Sequence, residues 1–198
     1  SAFLLNRSSD LSLTDYLSDI VCAMLNSRFS EISQQPDCPF LQAMAQDGNF
    51  MQMARTKDAL MLIGVAKEGK DIETLQSIAR EAKRAHDFGF TATEYARAKA
   101  DYISALEKAY TNRDKRKNAE YADEYIENYL ENDPIPSLED LYQTMSVLAQ
   151  QLPFEVVNQY AQQLINTSGK NLVAFNVEQE KEGKTYVSSE QMQAGLTS

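Results

Sequence analysis

The sequence predicts an α+β domain, a small and mainly antiparallel sheet with several helices packed on one face. Three observations predict it. A long stretch with helical periodicity opens the chain, two short apolar runs suited to strands follow between residues 40 and 66, and a β-prone run stands at residues 171–177. A strand at residues 171–177 can bury its apolar side chains only if it joins the early hairpin in a shared sheet. An all-α repeat scaffold would leave both β-prone regions unexplained.

The first predicted helix carries eight apolar residues at steps of three and four, which places them on one face. Ser12 or Thr14 is suited to cap its start, and Pro36 ends it. The eight residues are Leu13, Leu17, Ile20, Val21, Met24, Leu25, Phe29 and Ile32.

The next two elements are predicted strands of one hairpin, with the sequences "FLQAMAQDGNFMQMA" and "DALMLIGVA". The second run is apolar enough to be buried on both faces of a sheet. Two closures are open for this hairpin, a turn at Asp47-Gly48 or a connection at Arg55 to Asp58.

Five helices are predicted after the "KEGKD" break at residues 67–71. The first ends at the Phe88-Gly89-Phe90 break, and Thr91 with Glu94 forms a capping-box signature for the second. The third ends at "NDPIP", Ser137 caps the fourth, and Pro153 opens the fifth. We expect one domain over residues 1–180 and a polar linker or tail over residues 181–198, where no period is present. The third helix carries a tyrosine stripe that is typical of core or groove lining, namely Tyr121, Tyr125 and Tyr129.

The composition describes a folded chain with an acidic surface. Its 198 residues include 29 acidic and 19 basic side chains, which gives a formal net charge of −10. This balance argues against a nucleic-acid partner, because polyphosphate binding depends on basic side chains that release counterions. The one basic run, residues 113–117, contains an aspartate and is followed by carboxylates, so we interpret it as a solvated helix junction.

The sequence predicts no membrane span, because no run approaches the ~20 apolar residues that a span requires. No signal peptide is recognisable, and the chain opens with Ser1 rather than Met, so a processed or excised piece is one interpretation. The residues alone do not identify a compartment.

The side chains with reactive groups predict no active site. His86 is the single histidine, and its place near a helix end favours an interaction with the exposed carbonyls over catalysis. Cys22 lies in an apolar stripe and Cys38 lies between two prolines, so we expect two independent thiols. No glycine-rich phosphate loop or EF-hand spacing occurs. The densest carboxylates fall on the polar faces of helices: Asp123, Glu124, Glu127, Glu131, Asp133, Glu139 and Asp140.

Several strings, in order, resemble the second domain of bacterial pitrilysin/insulinase-type zinc peptidases. The similarity runs from about Leu13 to Val177, and it is the order and spacing of the strings that make it specific. They are "LNSRFSEISQQPDCPFLQA", "RTKDALMLIGVAKEGK", "FGFTATEYARAKADYISALEKAYTNRDK", "YADEYIENYLENDPIPSLEDLY" and "FEVVN".

The resemblance implies a LuxS/processing-peptidase-like fold in which zinc is held by an inverted H-x-x-E-H helix of another domain. This chain lacks that motif, since the motif needs two histidines. In the family, an arginine and, seven residues later, a tyrosine of the far half also reach the substrate. Here Ser33 and Phe40 occupy those positions, and neither can replace its counterpart. The resemblance therefore implies the second domain of the zinc-bearing half, with its N-terminal strand upstream of Leu11 truncated unless "SAFLL" is a remnant.

Two functions are consistent with this resemblance. The first is a non-catalytic structural and substrate-chamber domain of a zinc metalloendopeptidase, whose partners are the remaining domains of the parent protein and its peptide substrate. The alternative is a non-peptidase homologue that acts as a binding or assembly subunit. In both, this chain alone holds no catalytic, cofactor or metal site, and zinc is expected in a missing N-terminal domain of the parent peptidase. A periplasmic or envelope location is implied by resemblance only.

Overall fold

The computed structural model describes residues 7–49, 58–131, 135–180, 183 and 186–197, and its elements follow the predicted order of helix, hairpin and helices. It confirms the α+β class. The elements are α1 Arg7–Ser33, β1 Phe40–Asn49, β2 Asp58–Ala66, α2 Asp71–Phe88, α3 Ala92–Thr111, a 3-10 turn Arg113–Lys115, α4 Asn118–Glu131, α5 Leu138–Gln151, α6 Phe154–Leu164 and α7 Ser189–Thr197.

Helix α1 is the centre of the fold. Its buried stripe packs on β1 on one side and on α3 and α6 on the other, while α2 covers β2. The helix starts earlier than predicted, at Arg7, because neither glycine nor proline interrupts the residues before Ser12, so the proposed caps at Ser12 and Thr14 lie inside it. The N-terminal strand that the resemblance implies, and that was expected to be truncated here, has no counterpart at residues 7–11, which are helical. Its possible remnant, "SAFLL", falls in residues 1–6, which lie outside the described residues.

Strands β1 and β2 pair antiparallel, with Asn49 opposite Asp58. Of the two closures left open, the turn at Asp47-Gly48 is wrong, because both residues pair with β2. A turn there would leave Asp58, Ala59 and Leu60 without the ladder partners that they have in β1. The alternative closure, just before Asp58, falls in residues 50–57, which lie outside the described residues.

One face of the hairpin is uncovered, which corrects the expectation that β2 is buried on both faces. Side chains alternate across a strand, so the residues that flank the inward Leu62 and Gly64 point away from the helices. Met44, Ile63 and Val65 are exposed on this outer face. The apolar run of β2 correctly predicted a strand. Burial of its outer face would require a further layer of secondary structure packed on that face.

The run at residues 171–177 is not a strand in the structure. It has no regular secondary structure, and it exposes Leu172, Val173, Phe175 and Val177. β-propensity describes how well a side chain fits a pleated surface, and a strand forms only where a neighbour supplies the ladder. Within the described part of the chain the sheet consists of β1 and β2 alone, so the predicted third strand is wrong here.

The expected linker at residues 181–198 is wrong over Ser189–Thr197, which form α7. Ser188 caps this helix reciprocally with Gln191: the Gln191 N–H donates to Ser188 Oγ at 3.3 Å, and the Ser188 N–H donates to Gln191 Oε1 at 2.9 Å. The helix packs on α2 through Gly195, where a Cβ would stand 3.4 Å from Ile72 Cγ2. In the described part of the chain, no helix is long and apolar enough to cross a membrane.

Candidate functional site

The junction between α1 and β1 contains the two residues that the resemblance places opposite a substrate. Ser33 is the last residue of α1 and is exposed. Its hydroxyl donates to the carbonyl of Ser30 at 2.7 Å, a contact within its own helix turn. Among the described residues, no base accepts a hydrogen bond from this hydroxyl, so nothing in the geometry activates it as a nucleophile.

Phe40, the second of these residues, belongs to the core and is 1% exposed. The chain just before Phe40 is held by two hydrogen bonds to one carbonyl. The carbonyl of Pro39 accepts the Lys67 N–H at 2.9 Å and the Thr74 hydroxyl at 3.1 Å. The structure therefore separates the two predicted positions, with Ser33 facing solvent and Phe40 facing inward. The next residue, Leu41, is the exposed one.

Both cysteines are free, as the sequence predicts, and the structure buries both of them. Cys38 donates its S–H to the carbonyl of Phe40 at 3.3 Å, so the thiol between the prolines stabilises the turn into β1. For Cys22, burial and, to a smaller extent, the nearby carboxylates of Asp47 and Asp19 raise the thiol pKa to about 12. A thiol with so high a pKa is protonated at neutral pH and is a poor nucleophile.

A shallow cavity of about 220 Å³ lies where α1 meets β1. Its lining offers hydroxyl, amide and apolar groups and no titratable side chain, so it can bind polar groups but cannot exchange protons with them. The lining residues are Asn26, Phe29, Ser30, Ser33, Leu41, Gln42 and Ala43.

Asn26 in this cavity already has a structural role. Its Nδ2 donates to the Ala45 carbonyl at 3.0 Å, and its Oδ1 accepts the Ala45 N–H at 2.6 Å. The side-chain amide thus pairs with both main-chain groups of one β1 residue, as a neighbouring strand would. This contact ties α1 to the sheet and occupies the edge of β1 at that residue.

A buried ion cluster around Arg28 is the strongest electrostatic feature of the described structure. The Arg28 guanidinium contacts Glu94 Oε1 at 2.5 Å and Glu81 Oε1 at 3.0 Å, and it donates to the Gly89 carbonyl at 3.0 Å. The guanidinium also lies 4.5 Å from the centre of the Phe90 ring. One side chain of α1 therefore holds α2, the α2–α3 break and the start of α3 together.

The cluster determines the charge states of its members. Burial raises the pKa of Glu94, but hydrogen bonds from Arg28 and from Thr91 outweigh this and lower the pKa to about 2. Burial likewise lowers the pKa of Arg28, and its hydrogen bonds to Glu94 and Glu81 reverse that effect and raise the pKa. The pair is therefore ionised at neutral pH, which is a structural arrangement rather than that of a general acid or base.

The predicted capping box at Thr91 and Glu94 is confirmed, and Glu94 also belongs to the Arg28 cluster. Asn158 of α6 holds the same break from the other side. Its Oδ1 accepts the Phe90 N–H at 2.8 Å, and its Nδ2 donates to the Phe90 carbonyl at 3.2 Å. Sequence reasoning missed Arg28, although a charged residue between Leu25 and Phe29 in an apolar stripe is the available signal.

The remaining predicted residues are not brought together into a site. His86 lies near the C-terminus of α2, as expected, with Nδ1 2.8 Å from Asp87 Oδ1. Of the residues that the structure describes, no group of three or more histidine, cysteine, aspartate or glutamate side chains is placed to hold a metal ion. The three stripe tyrosines of α4 are exposed rather than buried in a core: Tyr121, Tyr125 and Tyr129.

Comparisons with known proteins relate the fold to part of a protease. No family model matches the chain, and no curated protein matches it. The crystal structure of the periplasmic protease PqqL from Escherichia coli is similar, with a TM-score of 0.68 and 19% identity over 80% of this chain and 17% of that chain. The crystal structure of the first half of PqqL has the same TM-score and identity over 81% of this chain and 34% of that chain.

These two similarities establish the fold. They do not establish an activity, because 19% identity is too low to carry an activity from one protein to another. The chain spans only 17% of PqqL and 34% of its first half, so it corresponds to a part of a larger assembly of domains in that protein. Membership of the pitrilysin-type family and the correspondence of Ser33 and Phe40 to an arginine and a tyrosine remain predictions from the sequence.

Proposed function

We propose that this chain is a non-catalytic structural domain of a zinc metallopeptidase of the pitrilysin type, and that it forms part of a substrate chamber. The observation that carries the proposal is the similarity to the first half of a periplasmic protease over 81% of this chain. The ordered sequence strings point to the same family independently of that similarity.

The non-catalytic part of the proposal rests on the α1–β1 junction. A residue that stabilises an oxyanion must present a donor toward the reacting atom. Phe40 has no donor and is buried, and the Ser33 hydroxyl is directed to its own helix. In this reading, peptide hydrolysis belongs to other domains of the parent protein, one of which holds zinc.

The contribution of this chain would then be mechanical. The Arg28 cluster and the Asn158 contacts to Phe90 fix the helix layer, and Asn26 fixes the sheet to α1. The uncharged outer face of the hairpin, with Met44 and Ile63 exposed, is available to another domain of the same parent. The proposal includes a periplasmic location, and the similarity to a periplasmic protease is what supports that part of it.

The test compares the 198-residue chain with the longer parent protein that the proposal predicts. We expect the isolated chain to bind no zinc at stoichiometric level by elemental analysis and to leave fluorogenic peptides intact. We expect the longer protein to cleave the same peptides and to lose that activity with a chelator. Zinc binding or cleavage by the isolated chain would contradict a domain without a site. A longer protein that folds but neither binds zinc nor cleaves peptides would favour the non-peptidase subunit instead.

A second experiment tests the α1–β1 junction directly. Ser33→Arg together with Phe40→Tyr restores both side chains that the family carries at these positions. We expect no peptidase activity in the isolated chain, because no zinc ligands accompany them. The single variant Ser33→Arg serves as the control for folding, since its site is exposed. Activity gained by the double variant would overturn the assignment.

A further inference from the structure

The corner between α3 and α4 contains a cavity that is larger than the one beside Ser33. Its volume is about 380 Å³, and it lies between the end of α3, the 3-10 turn and the first residues of α4 and α5. Sites for small ligands usually measure ~300–1,000 Å³, so the space is sufficient for one. The described residues that line the cavity are Ala109, Asn112, Lys115, Arg116, Glu120 and Leu138.

The lining of this cavity has the opposite charge to the chain as a whole. Lys115 and Arg116 are basic and only Glu120 is acidic, whereas the whole chain carries a formal net charge of −10. Ala109 and Leu138 add apolar surface beside these charges. A ligand that combines an anionic group with a small apolar group therefore matches the lining.

Lys115 is the lining cation that has a neutral partner. Its Nζ donates to Asn112 Oδ1 at 3.2 Å, and in the described part of the chain no carboxylate forms an ion pair with it. Asn112 is itself held in place, since its Nδ2 donates to the Lys108 carbonyl at 2.9 Å. The Asn112 contact uses one of the three ammonium N–H donors, so two remain available to an anion in the cavity.

Arg116, the second lining cation, is positioned by two neighbours. Its side chain is only 17% exposed, and the guanidinium carbon lies 4.5 Å from the centre of the Tyr121 ring. Its Nε stands 3.4 Å from Glu120 Oε2, which is a long contact to a side chain that is 51% exposed. Such a pair contributes little, so the carboxylate or phosphate of a ligand can compete with Glu120 for the guanidinium.

The main-chain dipoles at this corner also favour an anion. The carbonyls at the C-terminal end of α3, which would repel one, already accept hydrogen bonds. The Lys108 carbonyl accepts the Asn112 N–H at 3.0 Å, and the Tyr110 carbonyl accepts Arg113 Nη1 at 2.9 Å. The other helix end at the corner is the N-terminus of the 14-residue α4, where the first N–H groups of a helix carry partial positive charge. The helix end supports the site, and the two basic side chains define it.

We propose that this cavity is a binding site for a small organic anion, namely a carboxylate or phosphate attached to an apolar group. Lys115 and Arg116 hold the anionic group, and Leu138 and Ala109 contact the apolar group. Glu120 lies beside the same guanidinium and weakens the site, because it repels the ligand. Since the lining is largely exposed and the chain is acidic, we expect a dissociation constant on the order of 1 mM.

Four probes test the class of ligand, with the amide NMR shifts of residues 112–120 as the measurement. Benzoate and phenyl phosphate share an apolar ring and differ in the anion, benzyl alcohol has the ring without a charge, and inorganic phosphate has no ring. We expect benzoate or phenyl phosphate to bind about tenfold tighter than benzyl alcohol and severalfold tighter than inorganic phosphate. The tighter of the two identifies the preferred anion. Equal binding of benzyl alcohol, or no saturable shift at these residues to about 20 mM of either ring anion, would overturn the proposal.

Charge variants test the residues of the site with the tighter ring anion. Lys115→Gln is expected to weaken binding about fivefold and Lys115→Arg to retain it, whereas Glu120→Gln is expected to strengthen binding severalfold. Lys83→Gln is the matched control, because Lys83 is an exposed lysine of α2 that does not line the cavity. Circular dichroism verifies that each variant is folded. Unchanged binding in Lys115→Gln, an equal loss in Lys83→Gln, or weaker binding in Glu120→Gln would overturn the site as assigned.

Discussion

The Arg28 cluster gives the sharpest prediction about stability. In Arg28→Met the aliphatic stem is kept and the charge is removed, which leaves Glu81 with a side chain only 7% exposed and without its buried partner. The variant also removes the donor to the Gly89 carbonyl and the cation beside the Phe90 ring. Glu94 keeps its hydrogen bonds from Thr91. The loss is therefore concentrated on one buried carboxylate.

The expected loss of folding stability follows from the unpaired Glu81 carboxylate. Removal of one partner from a buried ion pair costs about 3–5 kcal/mol, because the remaining charge stays buried and uncompensated. Arg84, 3.3 Å from Glu81 Oε2 but 63% exposed, offsets part of this cost. We therefore expect the lower end, about 3 kcal/mol, which is a factor of roughly 150 in the unfolding equilibrium. With an ordinary urea dependence, the midpoint falls by about 1–1.5 M.

Urea unfolding followed by circular dichroism measures the effect, and Arg97→Met is the matched control. Arg97 stands 3.9 Å from Glu31 in a pair whose side chains are 61% and 69% exposed, so its loss should cost less than about 0.5 kcal/mol. The double variant Arg28→Met/Glu81→Gln should recover part of the lost stability, since no buried charge is left unpaired. Equal midpoints for Arg28→Met and Arg97→Met, or no recovery in the double variant, would refute the reasoning.

Three further predictions concern the same framework. The pKa of Glu94 is about 2 in the folded chain against an ordinary 4.5, so the stability that its ionised form contributes is present above pH 4.5 and is lost as the pH falls toward 2. Glu94→Gln should therefore reduce the change of the urea midpoint with pH across that range. A midpoint that depends on pH as strongly as in the parent chain would contradict this. Gly64→Ala places a Cβ 2.7 Å from Thr74 Cγ2 and should lower the free energy of unfolding by about 1–3 kcal/mol, which thermal unfolding measures. An unchanged melting temperature would show instead that α2 shifts to make room for the Cβ. Asn158→Ala leaves the Phe90 main chain without two hydrogen bonds and should cost about 1–3 kcal/mol; the check is amide exchange at Phe90, which should accelerate.

Sequence reasoning recovered the features that depend on local chemistry. The break at residues 88–90, the Thr91–Glu94 capping box and the Ser137 cap are each set by a few neighbouring residues, and all three are present in the structure. The end of the hairpin was left open because two turn signals competed. Register decided it, since pairing along the whole of β2 requires β1 to continue through Gly48.

The features that failed depend on distant partners. The run at residues 171–177 has strand propensity, but propensity does not supply the neighbouring strand. α7 was missed because its sequence is polar and has no apolar period. The cap formed by Ser188 and Gln191 and the close approach of Gly195 to α2 are seen only in the structure. The Arg28 cluster joins three helices that are up to 66 residues apart in sequence, and the chain shows only one unexpected charge in an apolar stripe.

The buried position of Phe40 changes what its substitution can show. If a tyrosine at this position were to reach a substrate, its ring would have to leave the core, where Phe40 is 1% exposed. Phe40→Tyr alone instead places a hydroxyl among apolar side chains, and a buried hydroxyl without a partner costs about 1–3 kcal/mol. Loss of stability in this variant therefore reports on core packing. The neighbouring Leu41 is exposed and lines the cavity beside Ser33, so Leu41→Tyr is the substitution that would present a hydroxyl outward with little cost to the fold. Comparison of the two variants by urea unfolding distinguishes a residue that supports the core from one that faces solvent.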